Sequence, residues 1–155
     1  MRLRTPPLLG NNPQLNNYLR DIKQTYGRIL FMTPCWYQQN VAASQSSVAL
    51  NLLGTTDNSE VVYPQTGRVI GISVSSNAAR TAGTLTVSPV VNGTASTTLS
   101  VSLDGTNTQY NSALQGSAQN INDFTANQSI GVEITTDGSW APTTADIVVN
   151  LFVDF

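Results

Sequence analysis

The strongest constraint on the fold is a period-two alternation of apolar residues that recurs through most of the chain. It is clearest at the end of the sequence, where the alternate positions are Ile147, Val149, Leu151, Val153 and Phe155. Because successive side chains of a strand point to opposite faces, this pattern predicts strands with one face in a core. Four earlier runs share the pattern: Ile70/Ile72/Val74, Leu85/Val87, Leu99/Val101/Leu103 and Ile130/Val132/Ile134.

Turn-forming dipeptides separate these runs and indicate antiparallel connections. Examples are Asn92-Gly93, Asp104-Gly105 and Asp137-Gly138. About eight short strands at this spacing predict a mainly β fold, a single antiparallel β-sandwich or jelly roll over residues 29–155. Residues 29–32, 48–53 and 60–63 are less regular strand candidates. The Asn/Gln/Ser-rich stretch from 110 to 124 is predicted as a long surface loop leading to a strand around Phe124.

The first 28 residues differ from the rest in charge. They hold five of the seven basic residues and one acid, which gives +4, whereas the remainder holds two basic residues and eight acids, which gives −6. Within them, Asn12 and Pro13 start a predicted short α-helix that ends at Gly27. Its apolar stripe is predicted to serve oligomerisation and consists of Leu15, Tyr18, Leu19, Ile22 and Tyr26. The stripe is too short to be stable alone, so it packs either on its own domain or in a bundle with other copies.

An extended arm is predicted ahead of this helix, because Pro6 and Pro7 disfavour helix and lack backbone donors. Its arginines can make bidentate contacts with carboxylates, and its leucines can fill apolar pockets. The arm residues predicted to anchor the protein to a partner surface are Arg2, Leu3, Arg4, Leu8 and Leu9.

The side chains that enzymes use most are scarce. Histidine is absent, which removes His-based triads and metal sites. A carboxylate pair drawn from Asp123, Glu133, Asp137 and Asp146 would be needed for an enzyme of the glycosidase type, and each acid has an ordinary structural interpretation. We therefore expect no enzymatic activity and no cofactor or metal, and interpret the acids in 57–60 and 104–107 as turn residues rather than calcium ligands.

Composition also bears on partners and location. Charged residues make up 10% of the chain, well below the roughly 25% of average globular domains, which favours a protein packed against its own copies or a large assembly. Nucleic-acid binding is not expected with so few Lys and Arg. The sequence shows neither a secretion signal nor an apolar run long enough to cross a membrane, so no membrane partner is expected.

Two aromatic residues are candidate binding groups. Trp140 either pins the loop before the last strand or, with Tyr110, offers a stacking surface for glycans. The single Cys35 is interpreted as a small packed residue.

Two stretches resemble small jelly-roll modules of tailed-bacteriophage virion proteins: "GRVIGISVSSNAARTAGTLTVSPVVNGT", residues 67–94, and "SIGVEITTDGSWAPTTADIVVNLFVDF", residues 129–155. The resemblance covers about residues 60–155 and carries no catalytic motif. It implies a structural virion component assembled in the host cytoplasm: a homotrimeric capsid decoration (cement) protein, held on the major capsid protein or other virion proteins by residues 1–28. A tail-fibre or receptor-binding module that recognises host glycans is the alternative.

Overall fold

A computed structural model of the chain describes residues 30–32, 34–115 and 122–155. Within these residues, thirteen strands pair antiparallel in two sheets. The strands are β1 Leu30–Met32, β2 Trp36–Gln38, β3 Val48–Ala49, β4 Asn51–Leu52, β5 Glu60–Val62, β6 Gly67–Ser76, β7 Leu85–Val91, β8 Thr94–Ala95, β9 Val101–Leu103, β10 Tyr110–Leu114, β11 Asp123–Phe124, β12 Ser129–Thr136 and β13 Ile147–Asp154.

The larger, seven-stranded sheet has the order β10-β6-β13-β2-β4, with β1 beside β13 and β11 beside β6. The six-stranded sheet has the order β3-β12-β7-β8, with β5 beside β12 and β9 beside β7. The buried side chains of both sheets form one apolar cluster, so the sheets pack as a sandwich around a shared core. The predicted mainly β sandwich is therefore confirmed, while jelly-roll connectivity stays a prediction.

Strand β13 shows why the alternation was informative. Its inward side chains Ile147, Val149, Leu151 and Val153 are all 0% exposed, and the residues between them are half-buried. β13 pairs with β6 along its whole length and with β2 and β1 on its other side. This strand is the centre of the larger sheet, as the length of its apolar pattern suggests.

One predicted alternation is wrong at its first residue. Val69 rather than Ile70 is buried in β6, because the pairing with β13 shifts where Phe152 faces Gly71 and Val153 faces Val69. Ile70 is the extra residue of this bulge and is left half-buried. A bulge reverses the inward and outward positions beyond it, which strict period-two reasoning does not anticipate.

The predicted surface loop from residue 110 is also wrong over its first part, because Tyr110–Leu114 forms β10 at one edge of the larger sheet. Its inward positions are Asn111 and Ala113, which carry too little apolar surface to give a core signal. Asn111 instead donates its Nδ2–H to the Ser102 carbonyl oxygen at 2.8 Å, linking β10 to the other sheet. The predicted strand around Phe124 is present as β11, and Phe124 is 1% exposed.

Three aromatic rings pack together at the end of β13. The ring centroid of Tyr63 lies 5.3 Å from that of Phe155, and Phe124 meets Phe155 edge-on at 5.9 Å. Gly67 fits beneath them, since a Cβ there would lie 2.7 Å from a Phe124 ring carbon and 2.8 Å from the Asp154 carbonyl oxygen.

The predicted arm, the predicted helix and the domain boundary at residue 28 lie outside the described residues. Within the described residues, no helix has the length and hydropathy that a membrane span requires.

Candidate interaction surface

The most distinctive surface of the molecule is the outward side of the larger sheet. Strand pairing aligns its outward residues in rows across β10, β6 and β13, since residues opposite each other in a pair share a face. The rows are Tyr110–Ser75–Val148, Ser112–Ser73–Asn150 and Leu114–Gly71–Phe152. We call these nine residues, together with Cys35, Tyr37, Asn51 and Leu53 on the β2–β4 side, the uncharged face.

The β2–β4 side joins the same rows through pairing and hydrogen bonds. Tyr37 lies opposite Val148 on one side and Asn51 on the other. The Cys35 thiol donates to Asn150 Oδ1 at 2.9 Å, and Leu53 donates its N–H to the Cys35 carbonyl oxygen at 2.8 Å. The half-buried Cys35 is thus a packed residue of this surface, as its sequence context predicted.

Large apolar side chains are exposed on this face. Tyr110 is 74% exposed, Leu114 78% and Leu53 57%. Each of these side chains leaves water only if another surface covers it, so this side of the sheet is a candidate interaction surface. None of the residues of the uncharged face carries a formal charge at neutral pH.

A glycine lets two apolar side chains meet across this sheet. A Cβ at Gly71 would lie 2.7 Å from Leu114 Cδ2 and 3.1 Å from Phe152 Cδ2, so both side chains lie against the bare backbone of β6. Gly71 itself is buried beneath them. The result is a low apolar ridge at one end of the uncharged face.

A shallow depression of about 440 Å³ lies at the other end of the same face. Serine hydroxyls and the exposed Tyr110 ring border it, an arrangement that combines a stacking surface with hydrogen-bonding groups. Its lining residues are Ser73, Val74, Ser75, Tyr110, Asn111 and Ser112.

The outward side of the six-stranded sheet has a different character. The hydroxyls of Thr86 and Ser102 hydrogen-bond across β7 and β9 at 3.0 Å. The Ser47 hydroxyl donates to the Glu133 carboxylate at 3.2 Å, and the Ser47 N–H donates to Thr135 Oγ1 at 3.2 Å. This side satisfies polar groups with one another and with solvent.

The four carboxylates considered for catalysis are each engaged in local structure. Asp123 forms an ion pair with Arg68 of the neighbouring strand, and Glu133 accepts the Ser47 hydroxyl on the other sheet. Asp146 accepts from the Asn40 N–H at 3.0 Å and the Asn77 side chain at 3.2 Å. Asp137 accepts from the N–H and hydroxyl of Ser139, both at 2.9 Å.

Two turn carboxylates have altered acidity. The Ser139 hydroxyl, with the Ser139 N–H as a further donor, lowers the pKa of Asp137 below its ordinary value. The backbone N–H groups of Asn107 and Thr106 lower the pKa of Asp104. Donors that bond the ionised form favour it, and both carboxylates occupy turns that the sequence predicted. This chemistry stabilises loops and supplies no proton donor for catalysis near neutral pH.

The aromatic residues predicted for glycan binding are placed differently. Tyr110 is on the uncharged face, whereas Trp140 is 2% exposed and donates its Nε1–H to the Val41 carbonyl oxygen at 3.1 Å. Trp140 therefore holds the loop before β13 in place, which is the structural role that the sequence offered as one alternative. It has no exposed ring face on which a sugar could stack. The predicted anchor and oligomerisation residues lie outside the described residues.

Sequence reasoning missed the uncharged face itself. The signal was present, because β13 is apolar on both sides: Val148 and Phe152 alternate with the buried set. A strand with apolar residues only on its inward side packs against one layer. The outward Val148 and Phe152 indicate that the outward side of β13 also contacts apolar atoms.

No protein-family model and no curated protein matches the sequence. Among solved structures, the chain is similar to the acidic stable capsid structure of Helicobacter pylori bacteriophage KHP30. The TM-score is 0.43 and the sequence identity 13%, over 83% of this chain and 93% of that chain. At this level of similarity, no property of that capsid transfers to the present chain.

Proposed function

We propose that this protein is a non-enzymatic structural component of a bacteriophage particle, most specifically a homotrimeric capsid decoration protein. The observation that carries the proposal is the uncharged face, a sheet surface with exposed Tyr110, Leu114 and Leu53. Such a surface suits permanent packing in an assembly better than an independent existence in solution. The sequence resemblance to virion jelly-roll modules supports a phage particle as that assembly.

Two further features support a structural role. The acids considered for catalysis are held by neighbouring side chains and turns, as expected of residues that maintain loops. The chain also has few charges, and those it has are divided between a basic first segment and an acidic remainder. In the proposal, residues 1–28 provide attachment and self-association, and the sandwich is the body that faces outward.

Attachment is tested by reversing the charge of the arm with Arg2→Glu and Arg4→Glu. If the arm binds carboxylates of an acidic capsid surface, the double variant decorates particles lacking this protein less fully than wild type. Each exposed pair contributes only ~0.2–1 kcal/mol, but a trimer repeats the loss in each subunit. The measurement is the number of copies bound per particle, at low and high salt.

The matched control is Arg20→Glu with Lys23→Glu, which changes the net charge equally but lies outside the arm. It should bind particles as wild type does. Equal binding by wild type and by the Arg2/Arg4 variant at both salt concentrations would contradict electrostatic anchoring. The copy number also tests the virion location, since hundreds of copies indicate decoration and a few dozen or fewer indicate a fibre.

A glycan-binding tail module is the second candidate, favoured by the exposed Tyr110 ring beside the serine-lined depression. If this function holds, Tyr110→Ala abolishes binding to host-surface polysaccharide and leaves particle attachment intact. Trp140 is not part of this candidate, because its ring is buried.

A further inference from the structure

The uncharged face is unusual in how much exposed apolar surface it concentrates. Among the described residues, four large hydrophobic side chains are strongly exposed, and three of them, Leu53, Tyr110 and Leu114, belong to this face. The fourth, Val62, lies on β5 of the other sheet. Tyr110 and Leu114 lie on β10 at one edge of the larger sheet and Leu53 lies beside β4 at the other, with the half-buried Val148 and Phe152 of β13 between them. Their position on one side of one sheet indicates an interaction surface.

The charges near this face limit what can cover it. The rows from Val148 to Phe152 carry no formal charge, and the charged residues Arg68, Asp123 and Asp154 lie beyond the Phe152 end. A charged segment placed over these rows would lose its hydration without gaining an ionic partner, which is costly. The covering surface is therefore apolar where it touches the sheet.

The chain itself contains an apolar surface of this kind. The sequence places Leu15, Tyr18, Leu19, Ile22 and Tyr26 on one stripe, with Arg20, Asp21, Lys23, amides and Thr25 between them. As a helix, the stripe from Leu15 to Tyr26 would span ~17 Å at 1.5 Å per residue. The uncharged face from Val148 to Phe152 spans ~13 Å at 3.3 Å per residue, so the stripe is long enough to cover these rows from end to end.

The direction of β1 bears on which subunit supplies the stripe. Leu30 pairs with Asp154 and Met32 with Phe152, so the chain enters β1 from beyond the Asp154 end of β13. Only residues 27–29 separate the stripe from β1. To lie on its own sheet, the stripe would have to reverse direction within these three residues, whereas the sheet of a neighbouring copy can be reached without such a reversal.

We propose that the uncharged face is the docking site for residues 12–27 of a second copy of this chain. This inference rests on the self-association that the proposed function contains and names the surface that receives it. The apolar stripe of one subunit covers Leu114, Phe152 and Val148 of its neighbour, and the basic side chains of the segment remain in solvent. The stripe therefore does not meet its counterparts in a central bundle.

The test is disulfide trapping between two single-cysteine variants of the full chain, both in a Cys35→Ser background. One carries Leu19→Cys, the other Leu114→Cys with a mass label, and the two are co-expressed. The expected product is a covalent adduct of the two different chains. Docking raises the effective thiol concentration from about micromolar to about millimolar, so the adduct should form up to roughly 10³-fold faster than in the control.

The matched control replaces Leu114→Cys by Val62→Cys, which is also strongly exposed but lies on the other sheet. Adduct yield equal to this control overturns the proposal, as does an adduct formed only between two Leu19→Cys chains, which indicates a central bundle. A third variant carries both Leu19→Cys and Leu114→Cys in the same chain. If its disulfide forms only within one monomer, the proposal is also overturned, because the stripe would then lie on its own sheet. Far-UV circular dichroism establishes that each variant is folded.

A second variant tests the face without cysteines. Leu114→Glu introduces a charge where the stripe would pack, and it should shift the isolated protein toward the monomer in light scattering while its far-UV circular dichroism spectrum stays that of the wild type. Its melting temperature should fall, because lost self-association removes stabilisation of the folded state. An unchanged oligomer would contradict the docking site. The trapping experiment needs no phage particle, so trapping without decoration refutes only the virion role, and decoration without trapping refutes only this docking site.

Discussion

The two outer sides of the sandwich rest on equally buried inner sides but present different chemistry to their surroundings. The six-stranded sheet pairs hydroxyls and a carboxylate with one another, as in Thr86–Ser102 and Ser47–Glu133. The seven-stranded sheet presents Leu114, Phe152 and Tyr110 around serines and a glycine. The first surface pairs its polar groups with one another, whereas the second exposes apolar side chains to water unless another surface covers them.

The difference between the two outer sides is not required by the fold. A sandwich requires only its inner sides for stability, so the composition of an outer side can follow what it contacts. In the proposed function, the sheet with exposed apolar side chains is the one that contacts other subunits.

The largest expected effect is the loss of stability on truncating a core leucine, and comparing one leucine from each sheet tests whether both sheets contribute equally to the core. Leu151 of β13 and Leu85 of β7 are both 0% exposed. Leu151→Ala and Leu85→Ala should each lower the free energy of unfolding by about 2–5 kcal/mol, measured by urea denaturation. This loss is a large part of a total that is ordinarily about 5–15 kcal/mol.

The control for this experiment is Asn150→Ala, an outward neighbour of Leu151 on the same strand. It should cost less than either core substitution. If one leucine could be replaced with a loss below 1 kcal/mol, a value typical of surface positions, its sheet would not share the core as the buried cluster indicates.

A smaller effect is expected from the hydroxyl pair on the six-stranded sheet. Thr86→Val and Ser102→Ala should each lower the free energy of unfolding by about 0.5–1.5 kcal/mol, because each leaves the other hydroxyl of a 3.0 Å bond without its partner. The double variant should lose less than the sum of the two, and the difference in this cycle measures the interaction. Ser112→Ala on the uncharged face is the comparison and should change stability by no more than about 0.5 kcal/mol. Strictly additive losses for Thr86 and Ser102 would show that their contact contributes nothing.

The sequence was most informative where burial is one-sided and pairing is regular. The inward sets of β12 and β13 follow a strict period of two, because the extra residue of the β6–β13 bulge lies on β6 and leaves the alternation of β13 intact. The Asn92-Gly93 turn was also predictable, since both residues adopt positive φ, 49° and 76°, which this dipeptide tolerates.

The remainder depended on contacts that no local pattern contains. The bulge at Ile70 arises from how β6 meets β13, and β10 exists because Asn111 and Ala113 fit an edge where little apolar surface is needed. The candidate site was missed for a related reason. Leu114 and Phe152 are far apart in sequence and become one surface only through the register of three strands across Gly71.

The smallest expected effect concerns pH and the turns that join the sheets. The pKa of Asp137 is lowered by the Ser139 hydroxyl, and that of Asp104 by the N–H groups of Asn107 and Thr106. A lowered folded-state pKa means that the stabilisation is present above the ordinary unfolded value of about 3.9 and is lost as pH falls through the folded value. Asp137→Asn should therefore make the melting temperature fall less than in wild type between about pH 5 and pH 3. Ser139→Ala should give an intermediate slope, because it removes the hydroxyl donor but keeps the backbone donor. If wild type, Asp137→Asn and Ser139→Ala lose stability in parallel on acidification, this turn carboxylate does not contribute to the pH dependence.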